Sequence, residues 1–489
     1  MPIEETDQII ATPSLLRAMR FRDVVLFLVI TGFSVRFIAN ASVTGPSAAV
    51  VWVGAALFFQ LPLALTVLEL SSRYPGEGGI YVWTKQAFGG FSGFITAWTY
   101  WCSNLPYFPG ILYFMAANAL YLAGAYGHTL SGSPAYFVIA STLGLSIAVG
   151  LNVIGLNVGK WLHNIGALGM WLPTVILVVL SVIVWARFGS ATSLTPAAFV
   201  PGTHLKDVIF WSTVAFSISG AESASMLGDE IENPRRTLPR ALLIAGPTIA
   251  LLFIVGTIAI LVALTPDHVT IISGFMDAIT IFAARLRVGW IIPLCAALIA
   301  AGSLGQCGAW VAASARLPFV AGIDRYLPAA FGRLHPRWGT PHVSLLVLGG
   351  VSLVFIVLSQ IGTGVSEAYN VLVSVAVITF FIPYLLMFAA AIRLQREPVP
   401  PGAFRICGGR PVATLVAAVG FTTTAASCVL SLIPDPSDPN PLLSFTKVAG
   451  ISAVTVAIGV ILYMMGAARA RRAAVAAQMA KRSLTLPTT

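Results

Sequence analysis

The sequence predicts an all-α membrane protein with twelve transmembrane helices, arranged as a 5+5 inverted repeat with broken helices 1 and 6 and two extra helices. Three observations carry this expectation. The chain of 489 residues is 57% hydrophobic and only 9% charged, whereas a soluble surface normally needs about a quarter or more charged residues. About a dozen apolar stretches approach or exceed the roughly 20 residues that cross a bilayer. The basic residues, finally, sort into alternate gaps between those stretches, as the positive-inside rule requires of a protein threaded repeatedly through a membrane.

In chain order the spans fall near 22–48, 49–71, 91–123, 134–154, 159–185, 205–230, 239–264, 289–313, 341–360, 367–394, 411–433 and 443–466. The expected organisation is a cytoplasmic N-terminus at 1–21, a first five-helix repeat at 22–187, a second inverted repeat at 205–395, helices 11 and 12 at 411–466 and a basic cytoplasmic tail at 467–489. Gaps assigned to the cytoplasm hold 22 of the 28 Lys and Arg residues, while Arg187, Lys206, Arg285, Arg287 and Lys447 lie outside and Arg36 falls within a span. A charge inside a span is expensive, so Arg36 is a functional candidate from the start. The stretch 266–286, with Pro266, Asp267, Gly274 and Asp277, reads as an external capping loop. Ala315 to Pro328 mixes Arg316, Asp324 and Arg325 with apolar residues and reads as an interfacial cytoplasmic segment. The Ala- and Arg-rich stretch from Ala467 to Lys481 reads as a short helix on the anionic inner leaflet.

Two spans are interrupted near their middles. Helix 1 is apolar from Val24 for about half a bilayer, and then Thr31-Gly32-Phe33-Ser34-Val35-Arg36 brings in small, polar and charged groups. Helix 6 repeats the pattern with Ser217, Ser219, Gly220, Glu222 and Ser223. One glycine in an apolar helix means little, but paired interruptions at the first helix of each five-helix set point to an inverted-repeat transporter with its site at the breaks.

Several classes are excluded. The net charge of +10 is spread over many loops and forms no single patch, so orientation accounts for it and nucleic acid is not an expected partner. The acidic Glu4, Glu5 and Asp7 argue against a cleaved signal peptide. Five scattered cysteines without a CxxC pair, and six histidines without ligand spacing, suggest neither disulfide framework nor metal site. No GxxxxGK phosphate loop occurs, and no cofactor or catalytic constellation is expected. A channel would need a continuous polar lining, where these breaks are local.

Three ordered blocks carry a family resemblance. Glu69-Leu70-Ser71-Ser72-Arg73-Tyr74-Pro75-Gly76-Glu77-Gly78-Gly79-Ile80-Tyr81-Val82-Trp83, followed by Ala87-Phe88-Gly89, resembles the ELxxxYPxxGGxYxW…FG signature of the amino acid-polyamine-organocation (APC) superfamily, amino acid permeases in particular. Phe216 to Ser223, with Glu230, Asn233-Pro234-Arg235-Arg236 and Pro239-Arg240, resembles its FxxSGxES stretch and the segment after it. Arg316 through Asp324, Leu327-Pro328 and Gly339-Thr340-Pro341 resembles its loop between helices 8 and 9. The glycines and prolines at 75–79 and the cluster Arg235, Arg236, Arg240 fit structural roles, a tight turn and an orientation signal.

The resemblance implies a secondary transporter in the cell membrane, a symporter or antiporter, moving amino acids or, second, polyamines and other organic amines. It also implies that substrate is held at Gly32, Phe33, Ser34, Phe216, Ser217, Ile218 and Gly220. Physically, a substrate carboxylate suits the free N-H groups of helix 1, and an ammonium suits free carbonyls of helix 6. Many such permeases carry GSGIF at the first break, whereas this chain lacks the second glycine and gains Arg36. Arg36 either takes the substrate carboxylate in two hydrogen bonds, forms a fixed ion pair with Glu222, or snorkels. Glu222 either couples transport to protons or hydrogen-bonds freed backbone groups. Asn104, Tyr107, Ser303, Gln306, Tyr369 and Asn370 either line the route or pack between helices. Where many sodium-independent relatives place a lysine in helix 5, this chain has Met170, which leaves the coupling ion open.

A topology test follows from the charge sorting. A reporter after Thr489 and cysteine labels near Asp229 and Phe331 are expected to report the cytoplasm, and labels near Ser133, Asp267 and Asp438 the outside; external labelling at Phe331 overturns the twelve-span arrangement.

Overall fold

Helix breaks set the architecture. In the computed structural model, which describes residues 15–358, 365–433 and 441–485, the first span is two helices, α1 (Phe21–Gly32) and α2 (Val35–Ser42), separated by Phe33 and Ser34 in extended conformation. The second span runs through α3 (Ser47–Ala55), a π turn at Ala56–Gln60 and α4 (Leu61–Arg73). The wide turn precedes Pro62, whose missing N-H cannot continue the regular ladder. A turn at 74–79 leads to α5 (Ile80–Phe88), α6 (Gly90–Ala119), the short α7 (Ala125–Ser131), α8 (Pro134–Ile154) and α9 (Leu156–Phe188). The sixth span again breaks, with α10 (Leu205–Ser217) giving way at Ile218 to Glu222 before a short 3-10 helix, Ser223–Glu230. The remaining helices are α11 (Pro234–Ala263), α12 (Gly274–Leu286), α13 (Ile291–Ile323), α14 (His342–Leu358), α15 (Val365–Leu394), α16 (Gly409–Leu432) and α17 (Pro441–Thr485).

Among the described residues, nine helical stretches are long and apolar enough to cross a membrane, and shorter apolar helices cover Asp207–Ser217, His342–Leu358 and Thr379–Leu394. The molecule is an all-helical, multi-pass membrane protein. The α9 and α13 helices meet at glycines: a Cβ on Gly305 would lie 2.4 Å from Gly166 Cα, and one on Gly169 would lie 2.7 Å from Gly302 N. Such stripes substitute backbone contact for side chains where no hydrophobic effect drives helix association.

Two expectations are corrected. The stretch 266–286 is not merely a loop, because it contains α12, whose Phe275, Met276, Ile279 and Phe282 are fully buried. The polar residues that obscure this helix are internally satisfied, with Asp277 accepting from Tyr121 at 2.7 Å and from Ser273 at 2.8 Å. Likewise Ala315 to Pro328 is not a segment separate from the eighth span, since α13 continues unbroken to Ile323 with Arg316 wholly enclosed. Arg316 can be buried because carboxylates on two other elements face it. The last helix also extends further than expected, as one backbone helix from Pro441 to Thr485.

The first signature block ties α4 to the segment after α15. Buried Arg73 pairs with Glu69 at 3.1 Å and donates to Leu394 O at 2.7 Å, while Tyr74 donates to Glu397 at 2.7 Å. These residues fix where the second span ends and so where the following turn, with Glu77, is presented.

Candidate functional site

The two breaks lie against each other. A Cβ on Gly220, whose φ is +108°, would sit 3.0 Å from Thr31 O and 3.1 Å from Gly32 Cα, so no larger residue fits this contact. The Thr31 and Ser223 hydroxyls are 2.7 Å apart, and Ser223 donates to Gly220 O at 2.7 Å. Each span's hydroxyl thus serves a carbonyl of its own span, Thr31 that of Phe27 and Ser223 that of Gly220, and the two spans meet hydroxyl to hydroxyl.

Beside this contact lies a narrow, partly open cavity of about 20 Å³ bounded by Thr31, Phe37, Ser103, Asn104, Tyr107, Phe216, Ser217, Ser219, Trp310 and Phe380. That volume holds about one water and no amino acid. The walls are mostly aromatic: Phe216 packs edge-on against Phe37 at 5.9 Å and Phe380 at 5.2 Å, and Tyr107 against Trp310 at 5.9 Å. The Arg36 guanidinium lies 4.5 Å from the ring centres of both Phe37 and Tyr107, two residues of the cavity wall. Arg36 is buried and its Nε has no hydrogen-bond partner. Among the described residues no carboxylate lies within 4 Å of it, and the Arg36–Glu222 ion pair is not formed.

Glu222 is completely buried at the second break. Its Oε1 accepts from Tyr100 at 2.5 Å, and its Oε2 has no partner. Tyr384 adjoins the same carboxyl and Ser219 without completing a hydrogen bond. Among the described residues the Glu222 environment is therefore aromatic and hydroxylic, with no basic residue paired to it.

The other expected residues are distributed as follows. Asn104, Tyr107, Phe216 and Ser217 bound the cavity. Gly32, Phe33, Ser34, Ile218 and Gly220 form the breaks themselves, with the Phe33 ring turned to Phe253 at 5.0 Å. Gln306 donates from α13 to Ile30 O at 2.7 Å and Phe33 O at 2.8 Å. Ser303 donates within its own helix to Ile299 O. The side chains of Tyr369 and Asn370 lie outside the described residues. Sequence reasoning missed Phe37, Tyr100, Trp310, Phe380 and Tyr384, because an aromatic residue in an apolar helix carries no signal separating a wall from ordinary packing.

One end of the bundle is shut beyond the cavity. Met19 bridges Ile231, and the Ala18 and Met19 N-H groups both donate to Glu230 O, joining the chain before α1 to the end of the second broken span. Arg316 takes Glu230 in two hydrogen bonds of 2.9 Å and lies 3.6 Å from Glu77, whose Oε2 accepts from Asp229 N-H at 3.0 Å. Close backbone contacts complete the closure, since a Cβ on Gly228 would lie 2.7 Å from Gly76 O.

Comparison with known proteins gives the family and the fold. A family model described as amino acid permease matches residues 23–460. The chain belongs to the amino acid permease family. An uncharacterised transporter of Legionella pneumophila is 31% identical over 424 residues, which is 85% of this chain and 89% of that one. A probable agmatine/putrescine antiporter of Lactococcus lactis is 23% identical over 418 residues, 85% of this chain and 86% of that one. Among solved structures, MhsT in complex with L-phenylalanine superposes with a TM-score of 0.57 at 13% identity, covering 92% of this chain and 99% of that one. This permease shares that fold and is a membrane transporter of the APC superfamily, not an enzyme.

The closed end carries a pH dependence. Burial first, and then the neighbouring Glu230, raise the Glu77 carboxyl well above its ordinary range, against the pull of Arg316. A carboxyl raised in the folded state binds its proton more tightly than the unfolded chain does, so this contribution is present at acid pH and is lost as pH climbs from about 4.3 through the raised value. Thermal unfolding of detergent-purified protein is expected to show a melting temperature that declines over this range, with a shallower decline in Glu77→Gln; equal slopes would place the pH sensitivity elsewhere.

Proposed function

We propose that this permease is a secondary active transporter that carries amino acids across the cell membrane by alternating access, coupled to protons or to exchange. In this reading twelve spans form two inverted five-helix repeats, 22–187 and 205–395, with helices at 411–466 appended and both termini in the cytoplasm. The nine long and three shorter apolar helices are consistent with that count.

The observation that carries the substrate class is Arg36, a guanidinium enclosed beside the cavity with no carboxylate partner among the described residues. A buried unpaired charge is tolerated where function requires it, and a planar fork facing an amino acid satisfies itself on the carboxylate. The half-helix α2 adds its N-terminal N-H groups, directed at the same break. Glu222, with one free oxygen at the second break, supplies the counterpart for an ammonium or a proton. Since the cavity holds no more than a water, this conformation leaves no continuous pore at the breaks, which suits a transporter better than a channel.

A second reading, transport of amines or polyamines, is favoured by the aromatic wall, which suits cations, and by the Lactococcus lactis relative. Arg36 separates the two, because it attracts a carboxylate and repels a dication. In proteoliposomes, unlabelled amino acids are expected to compete for uptake of a labelled amino acid far better than their decarboxylated amines. Arg36→Lys should weaken amino acid binding roughly ten- to hundredfold, the equivalent of about 1.5–3 kcal/mol for a hydrogen bond to a charged group, and should narrow the gap between acids and amines. Wild-type affinity in Arg36→Ala removes Arg36 from the site.

Proton coupling is tested separately. Glu222→Gln preserves size and most hydrogen bonding, so it is expected to transport with a flattened pH profile; an unchanged profile at normal activity leaves Glu222 a structural group.

A further inference from the structure

A second cavity lies away from the breaks, between α6, α13, α14 and α17. It is partly open, its volume is about 260 Å³, and it reaches Leu317, the residue after Arg316, which places it at the closed end. Phe94, Trp98 and Trp101 follow one another at helical spacing along α6 and form one wall. The Trp98 ring lies parallel to Phe94 at 6.4 Å and is 5.5 Å from Trp101, and its Nε1 is committed to Thr455 O on α17 at 2.7 Å. Pro318 of α13, Phe331 of the loop after it and Leu462 of α17 stand around the same space. Pro318 brings no N-H, and a lining of rings and aliphatic groups gives a water nothing to bond. Apolar cavities of roughly 150 Å³ already stay dry and take up benzene-sized molecules. Within a membrane the abundant molecule that suits such a space is a lipid with its acyl chain.

Hydrocarbon gains little on passing from one acyl environment to another, so the chain alone selects no particular lipid. Selection has to come from the headgroup. Arg325, Arg333 and Arg469 are exposed and stand on the segments that bound the cavity. Arg325 and Arg333 flank the lining residues Leu327, Pro328 and Phe331. Arg469 follows Leu462 by about two helical turns; between them Gly466 packs directly on Tyr326 O, and Arg469 Nε turns back to Met465 O at 3.3 Å. Among the described residues no carboxylate lies within 4 Å of any of the three, the neighbouring Asp324 being taken by Lys85 and Tyr81. Basic side chains at a membrane surface attract anionic headgroups. The positive-inside rule asks only for basic loops, and does not ask that three unpaired arginines border one apolar cavity.

We propose that this cavity binds one anionic phospholipid, with an acyl chain against the α6 rings and the phosphate among Arg325, Arg333 and Arg469. The lipid belongs to the leaflet at the closed end, which is the cytoplasmic one in the orientation proposed above. Seated there it braces α6 against α13, the two helices that bring Tyr107 and Trp310 to the small cavity at the breaks, and so stabilises this conformation.

The test titrates the detergent-purified full chain with phosphatidylglycerol or with phosphatidylcholine of the same acyl chains, reading melting temperature and the lipids retained in native mass spectra. Wild-type protein is expected to retain one phosphatidylglycerol, to bind it at least about tenfold more tightly than phosphatidylcholine, and to melt higher with it. Ala97→Leu fills the cavity from α6 and leaves every charge in place, so it should lose the stabilisation by phosphatidylglycerol while the lipid-free protein melts no lower than wild type. The combined Arg325→Gln, Arg333→Gln and Arg469→Gln variant should bind the two lipids equally. It changes only exposed side chains, so it decides the question even where Ala97→Leu does not fold. Equal binding of both lipids by the wild type, undiminished stabilisation of Ala97→Leu, or an undiminished preference in the arginine variant overturns the proposal and leaves the arginines as orientation signals. Neither readout involves transport, so absence of amino acid uptake would strike the substrate proposal alone.

Discussion

Every backbone group released by a helix break in an apolar interior must find a partner within the protein, and in this permease that requirement organises the centre of the molecule. The break after Gly32 and the break after Ser217 meet so closely that Gly220 can carry no side chain, and the Thr31 and Ser223 hydroxyls bond across the contact. Gln306 then accounts for two carbonyls of the first break. An unpaired group there costs several kcal/mol, more than a typical single hydrogen bond returns. Polar residues at the breaks are therefore placed first by the needs of the backbone, and the cavity occupies the space left beside them.

Charge at the closed end obeys a second constraint. Enclosing Arg316 with two acidic residues gives a cluster in which Glu230 makes the bidentate contact and the Glu77 carboxyl stands 3.6 Å off. Desolvation consumes most of the Coulombic gain of such a cluster, so its effect on net stability is small while the cost of removing one partner is large. What it contributes is specificity: it fixes the end of the second broken span against α13, with the turn at 74–79 held alongside by the Glu69–Arg73 pair and its neighbours.

Much of this was legible in sequence, for physical reasons that differ by residue. Alternating basic loops and apolar runs reveal a polytopic chain because hydrocarbon and translocation constrain them strongly. The breaks were legible because Gly32, Ser34, Ser219 and Gly220 interrupt runs that hydrocarbon would otherwise keep apolar. The burial of Arg316 was not legible because a charge among apolar residues gives the same local signal whether it faces solvent or a buried ion cluster; only Glu230 and Glu77, distant in sequence, reveal the cluster. Asp277 hid α12 similarly, its partners lying on Tyr121 and Ser273. Gln306 was a candidate for lining the pocket, but nothing local reveals that its amide faces the carbonyls of another helix. The aromatic wall was invisible because periodicity marks a buried face without saying whether it encloses a cavity.

If the permease works by alternating access, as proposed, the pattern of ties decides how the closed end comes apart. The segment before α1 is joined to the end of the second broken span by the Met19–Ile231 bridge and the Ala18 and Met19 bonds to Glu230, and higher up by Thr31 and Ser223. These bonds lie within the pair, so the two half-spans can tilt together without losing them. The bonds from this pair to α13 are of another kind: Arg316 to Glu230 at one level and Gln306 to the α1 carbonyls at another. Tilting the pair away from α13 strains both levels, but unequally, because displacement about a central break grows with distance from it. The ion cluster at the far end then has to separate first, exposing its charges to water that can resolvate them, while Gln306 near the pivot can keep its short bonds. A permanent amide at the pivot and hydratable charges at the rim are thus the arrangement in which the site can open without leaving bare backbone at its centre.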